Sequence, residues 1–263
     1  MIGEELCLSM ILAIDIGNTN IVVGCIDENK TWFIERLSTD RSKTELEYAI
    51  VIKNVLDIYH INPEDLEGGI ISSVVPQITQ IVREAAKKIL QKEILVLGPG
   101  IKTGLNILVD NPVQTGADLI AATVGAINKY PVPQIIFDLG TATTVCVVDK
   151  KKNFIGGMIL PGIRTSLDAL TANAAQLSGI DISAPKRIIG KNTIECMQSG
   201  IIYSNAASMD GIIDRIEAEL GEKTTVVATG GLAKNIIPFC RKNIILDEDL
   251  LLKGLLYLYR KNG

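Results

Sequence analysis

The chain is short of histidine, on which Ser-His-Asp hydrolases and histidine-rich metal sites depend. It holds a single histidine, His60, in "DIYHINPED". With no second one, a Ser-His-Asp triad or a histidine-rich metal site would hang on His60 alone, so neither is expected. His60 therefore reads as a surface residue beside a loop. The five cysteines, Cys7, Cys25, Cys146, Cys196 and Cys240, stand singly, with no C-x-x-C pair. That scatter argues against structural zinc and a disulfide framework, and it suits a reducing, cytoplasmic setting. Basic charge is also in deficit: 26 Lys and Arg face 30 Asp and Glu, a net charge of −4. No Lys/Arg cluster exceeds "KKK" at 150–152, which reads as a solvated hairpin turn, so nucleic acid is not expected as a partner. No uncharged apolar run approaches about 18 residues, so no membrane partner is expected. The start shows no cationic segment followed by an apolar one, so no secretory signal is read there.

What remains is an ordinary globular composition, 47% apolar and 21% charged over 263 residues. That is enough chain to bury a core, as one large domain or two of average size. Residues 1–9, "MIGEELCLS", precede a second methionine, Met10, and read as an extension or an alternative start.

Three β-like segments come first, 10–16, 20–26 and 31–38, followed by a helix over 43–58. "GGIISSVV" (68–75) reads as a strand stopped by Pro76. "QITQIVREAAKKILQ" carries its apolar residues on one helical face, and "EILVLG" (93–98) is another strand. The pattern then restarts, with strands at 134–140, 143–149 and 154–160 and helices over 163–177 and 192–220. A strand at 224–229, a helix beginning in "GLAKNIIPF" and an amphipathic closing helix complete it. The order βββαβαβ thus occurs twice. Asp15-Ile16-Gly17-Asn18-Thr19 matches Asp138-Leu139-Gly140-Thr141-Ala142, each ending the first strand of its half. We expect an α/β fold of two mixed-sheet halves, 10–117 and 118–263, around a central cleft.

A single D-x-G-x-T turn is a weak signal, since Asp and Asn beside Gly also close plain hairpins. Its repetition favours a phosphate clamp. Glycine lets backbone N–H groups approach an anion, Thr and Asn add donors, and the aspartate suits a cation that meets the phosphates. "ATGGLA" (228–233) puts Gly230 and Gly231 between a strand and a helix, where a ring or phosphate could lie against the backbone. A tight strand-to-helix connection is the other reading. Asp118, in "DNPVQTGADLIAA", begins a helix, where an aspartate is commonly a cap or dipole partner. At a cleft it could instead take a proton from an alcohol. "GGMILPG" (156–162) is either a pocket-lining loop or a plain turn.

Together "DIGNTN" (15–20), "ISSVVP" (71–76), "DNPVQTGAD" (110–118), "FDLGTATT" (137–144), "GGMILPG", "NTIECMQSG" (192–200) and "TGGLA" (229–233) resemble the type III pantothenate kinases. That family sits in the superfamily of acetate kinase, sugar kinases and actin. The resemblance implies a duplicated ribonuclease H-like, actin-like ATPase fold. It implies ATP-dependent phosphorylation of pantothenate, the first step toward coenzyme A, by a homodimer using Mg²⁺ and a monovalent cation, K⁺ or NH₄⁺. Carried over by position, Asp15, Ile16, Gly17, Asn18, Thr19, Asn20, Ile21 and Val22 form the first ATP turn and Thr141 contacts ATP from the second. Gly230 and Gly231 lie near the adenosine, Asp138 binds the monovalent cation and Asp118 is the general base. Gly116, Ala117 and Thr193 meet the substrate, with Val109 and Leu119 at its remaining positions. Those last two depart from the family pattern, which has tyrosine and arginine there. Arg164 or Lys102 could supply the missing positive charge. A silent nucleotide-binding regulatory paralogue, or a kinase of another small alcohol, are the competing expectations.

Overall fold

The computed structural model describes residues 10–174 and 176–263. The expected extension at 1–9, with Cys7, lies outside the described residues. In chain order the elements are β1 (Met10–Ile16), β2 (Asn20–Ile26), β3 (Thr31–Ser38), α1 (Glu45–Ile58), β4 (Leu66–Ser73), α2 (Pro76–Leu90), β5 (Ile94–Val96) and β6 (Asn106–Ile107). Then come α3 (Ala117–Lys129), β7 (Gln134–Leu139), β8 (Ala142–Val148), β9 (Asn153–Pro161), α4 (Ile163–Asn173), α5 (Thr193–Leu220), β10 (Thr225–Thr229), α6 (Ala233–Ile236), β11 (Ile245–Leu246) and α7 (Leu250–Asn262).

The first compact unit takes the described part of Met1–Gly104, with Asn111–Gly125 and Asp249–Gly263. Its sheet runs β3-β2-β1-β4-β5. β1 pairs antiparallel with β2 and parallel with β4. β1 reads as a continuous apolar run because both its faces are covered. Leu12, Ile14 and Ile16 pack with Ile52 and Leu56 of α1 and Ile78 and Val82 of α2. On the sheet, α7 lies against β1, β2 and β4. Thr44 starts α1 through a capping box with Glu47, so the helix expected from 43 begins at Glu45.

The second unit takes Leu105–Asp110 and Ala126–Glu248. Its sheet runs β11-β10-β7-β8-β9-β6. Apart from the added edge strand β6, this repeats the strand order of the first unit, with the same antiparallel and parallel pairings. The repeated topology is a duplicated ribonuclease H-like fold. Phe137 and Leu139 pack with Ile202, Ala206, Met209 and Ile213 of α5. Asn192 caps α5 by accepting from Glu195 N at 2.9 Å, and Gly221, at φ 72°, ends it.

The duplication is clear in sequence, but the units are not contiguous. α7 ends the chain yet belongs to the first unit, and α3 runs from one unit into the other. The expected boundary at 117/118 falls at the start of α3. Several elements also differ in extent. The helix expected over 163–177 stops at Asn173, whose side-chain amide turns back to Ala169 O at 2.8 Å. The helix expected after Gly231 is a four-residue turn followed by a 3-10 segment at Ile237–Phe239, because Pro238 removes a backbone donor. β6 and β11 have two residues each, too few to leave a periodic trace. The Lys150–Lys152 cluster forms the exposed β8–β9 turn, as expected. His60 is exposed, at φ 55°, just past α1.

Candidate active site

The first turn joins β1 to β2. Ile16 pairs with Ile21, both buried, so residues 17–20 make the bend. Gly17 N donates to Asn20 O at 3.0 Å. The chain leaving β3 braces the turn: Thr39 Oγ1 donates to Gly17 O at 2.7 Å and Thr39 N to Thr19 O at 3.0 Å. Arg41 donates to Asn18 Oδ1 at 3.3 Å. Asn18, Thr19 and Asn20 remain exposed, and Asp15 and Val22 are half-buried register partners behind them. A braced turn with exposed polar tips can present donors to an anion without first losing its own order.

The second turn is built the same way but is one residue shorter. Leu139 pairs with Thr143, leaving residues 140–142 to turn, and Gly140 N donates to Ala142 O at 3.1 Å. Thr165 Oγ1 donates to Thr141 O at 2.8 Å, the counterpart of the Thr39 brace. Thr141 is exposed and Asp138 half-buried. The matched letters of the two motifs thus conceal different turn lengths. Thr39 and Thr165 were missed from sequence. The available signal was a threonine within a few residues of the end of the third strand in each repeat, Thr39 directly after β3 and Thr165 in the first turn of α4.

Gly230 follows β10 at φ 95°. A Cβ there would come within 2.5 Å of Asp138 Oδ1 and 2.6 Å of Leu139 N. Only glycine allows both the backbone and the close approach. The helix after it has four residues, so the dipole argument for an anion at that point loses its force. Gly231 is exposed.

Asp118 is the second residue of α3, after Ala117. Its Oδ1 accepts from Leu119 N at 2.8 Å. Gly116 makes that position possible, since a Cβ on it would overlap Asp118 Oδ1. Burial pushes the Asp118 carboxyl above the usual carboxylate range, against the opposing pull of the Leu119 N–H. A carboxylate poised to gain a proton is the arrangement a general base requires.

Asp15, Gly116, Asp118 and Leu119 all belong to the first unit, whereas Val109, Asp138, Thr141, Thr193, Gly230 and Gly231 belong to the second. Val109 and Leu119 are half-buried, and Thr193 is the exposed first residue of α5. Arg164 is exposed on α4. Lys102 is exposed, and its backbone is clasped by Asn262, which accepts from Lys102 N at 2.8 Å and donates to Lys102 O at 3.0 Å. Among the described residues no three His, Cys, Asp or Glu side chains gather to hold a metal ion. The donors at the turns are carboxylate and hydroxyl oxygens. That set suits a hard cation shared with phosphate oxygens rather than one caged by protein alone. The described cysteines form no disulfide, and burial raises the Cys25 and Cys240 thiols, so neither is a ready nucleophile. Among the described residues no helix is long and apolar enough to cross a membrane.

Comparison with known proteins agrees with this fold. Two solved structures share the fold at low identity. Component A of (R)-2-hydroxyglutaryl-CoA dehydratase from Acidaminococcus fermentans is 16% identical with a TM-score of 0.58, covering 95% of this chain and 96% of that one. The ethanolamine utilization protein EutJ from Carboxydothermus hydrogenoformans is 15% identical with a TM-score of 0.50, covering 97% and 90%. Sequence relatives are much nearer. The type III pantothenate kinase of Halalkalibacterium halodurans is 44% identical over 253 residues, 96% of this chain and all of that one. That of Bacillus cytotoxicus is 45% identical over 254 residues, 97% of each. The family model for type III pantothenate kinase matches residues 11–215, and the chain belongs to that family.

Proposed function

We propose that the chain phosphorylates pantothenate with ATP, giving 4'-phosphopantothenate in the first step of coenzyme A biosynthesis. The observation that carries this reading is Asp118, half-buried, with its proton affinity raised, at the head of α3 in the family's motif. Bound ATP with Mg²⁺ supplies the phosphoryl group and neutralises its charge. Asp118 accepts the proton of the primary hydroxyl as that oxygen bonds to the γ-phosphorus. The bond from phosphorus to the β–γ bridging oxygen breaks and ADP leaves. The turns at 17–20 and 140–142, stiffened by Thr39 and Thr165, hold phosphate oxygens with backbone N–H groups. Asp138 is proposed as the monovalent-cation ligand. Gly230 and Gly231 are proposed as adenosine contacts, and Gly116, Ala117, Val109, Leu119 and Thr193 as substrate contacts.

A homodimer is proposed as well. It is supported by exposed apolar side chains on the second unit at Met158, Ile159, Leu170, Ile188, Ile189 and Ile194. The scattered cysteines favour the cytoplasm. In sequence, the two halves of the duplication are proposed to divide at 117/118, although the compact units divide the chain differently. The test is ADP release by purified protein. Pantothenate-stimulated, K⁺-dependent release supports the reading. Nucleotide binding without turnover would indicate a silent paralogue, and stimulation only by a different alcohol would change the substrate.

Two expectations follow for single residues. With Leu119 in place of arginine, the substrate carboxylate needs another cation, and Arg164 and Lys102 are the candidates. Replacing the residue that serves with alanine should raise the pantothenate KM while ATP binding changes little. Wild-type KM in both variants would remove the idea. Thr39→Val deletes the bond to Gly17 O and should loosen the first turn. The KM for ATP should then rise about three- to tenfold, in keeping with the loss of one hydrogen bond. Steady-state kinetics at saturating pantothenate would show it.

A further inference from the structure

β4 ends in two serines whose side chains take opposite faces of the sheet. Ser73 faces α2: its Oγ lies 2.7 Å from Thr79 Oγ1 and accepts from Val75 N at 3.1 Å. Ser72 therefore faces the other way. It is fully buried, and its hydroxyl has no hydrogen-bond partner. A buried, unanswered hydroxyl opposes folding, so an unexplained one marks a place to look for function.

Its neighbour supplies the reason. In the parallel pairing of β1 with β4, Ser72 stands in register with Asp15, so the two side chains share a face at the end of the sheet that carries the first turn. The second repeat does the same: in the parallel pairing of β7 with β10, Thr229 stands in register with Asp138 and is also buried. The repeats share few letters, yet each sets a hydroxyl beside its turn aspartate. Packing alone does not call for an alcohol at both positions, since alanine or valine would fill either more cheaply.

We propose that Ser72 is a positioning residue for Asp15, and Thr229 its counterpart for Asp138. With the cation and phosphates bound, each hydroxyl would donate to the turn carboxylate beside it and hold one of its oxygens, so that the other is aimed at the cation accompanying the phosphates. This rests on the kinase reading, and it assigns these two residues a part in cation affinity rather than in proton transfer.

The experiment measures ATP binding by calorimetry with and without Mg²⁺, alongside thermal unfolding of the nucleotide-free protein. Ser72→Ala should bind ATP alone as the wild type does, lose about tenfold of the Mg²⁺-dependent gain, and melt no lower than the wild type. Ser72→Thr, which copies the residue of the other repeat, should restore the gain. Should Ser72→Ala fail to fold, Ser72→Cys, of similar size and a weak donor, carries the same comparison. Thr229→Val should raise the K⁺ concentration for half-maximal activity and leave the Mg²⁺ response in place. A wild-type Mg²⁺ response in Ser72→Ala overturns the inference, as does equal weakening with and without Mg²⁺, which is the mark of a packing role. Wild-type protein showing no Mg²⁺-dependent ATP binding would overturn the kinase reading itself, and the two failures are therefore distinct.

Discussion

Asp118→Asn is expected to lower kcat about 10²–10⁴-fold while leaving the fold and ATP binding intact. Asparagine matches aspartate in shape and can keep the bond from Leu119 N through its side-chain oxygen. What it loses is the capacity to take a proton. Stability offers a second, independent reading. Burial raises the Asp118 carboxyl in the folded chain above its unfolded value. The fold therefore holds that proton more tightly than the unfolded chain does. The stabilising contribution is complete below the unfolded value and is lost as pH rises through the folded one. At neutral pH the ionised group opposes folding, so Asp118→Asn should melt at or above the wild-type temperature there, with the advantage shrinking in acid. The rate should follow the same titration in the useful direction. In the wild type kcat/KM should rise with pH through a value above the ordinary carboxylate range and then level, and in Asp118→Asn that limb should vanish. Full activity in the asparagine variant would remove the base assignment. A large fall in melting temperature would instead assign Asp118 a structural role.

How far the sequence led can be judged residue by residue. β1, β2 and β3 were legible to the residue, because continuous or alternating apolar runs end at Gly17-Asn18 and Asp27-Glu28-Asn29, where the backbone must turn. The repeated topology was legible for the same reason, twice over. The shorter second turn was not, since Asp138-Leu139-Gly140-Thr141-Ala142 aligns with its partner without a gap, Asp on Asp and Gly on Gly, and only cross-strand register shows the missing residue. The setting of Gly230 against Asp138 was equally hidden, because it depends on two strands far apart in sequence. Local pattern reports what a segment does to its own backbone. Which distant residue leans on it is written in register and packing. Asp118 lies between these cases: the motif picked it out, while the burial that raises its proton affinity comes from the fold.

Gly254→Ala should produce the second large effect, from a residue that touches no substrate. Gly254 lies inside α7, a position where glycine is costly unless the missing side chain is needed. Here it is needed. A Cβ on Gly254 would overlap Ala121 O, and the backbone N of Gly125 lies 3.0 Å from the same point. Gly125 in turn faces Leu250 O and Gly254, so α3 and α7 cross backbone to backbone. One added methyl has no space and must push the helices apart, at about 1–3 kcal/mol for overpacking. In a chain of this size that lowers the melting temperature by roughly 2–4 °C per kcal/mol. The displacement also reaches the chemistry, because Ala121 is one turn of α3 from Asp118. Misplacing a catalytic group by about 1 Å can cost about 10²-fold in rate. We therefore expect kcat to fall tens- to about a hundredfold in Gly254→Ala, with ATP affinity moving far less. Tyr257→Ala, on the exposed side of the same helix, should leave both kcat and ATP affinity near wild type. Wild-type kcat in Gly254→Ala would mean that α3 absorbs the methyl without moving its head. A fall in ATP affinity equal to that in kcat would mean that the damage spreads through the whole first unit rather than along one helix.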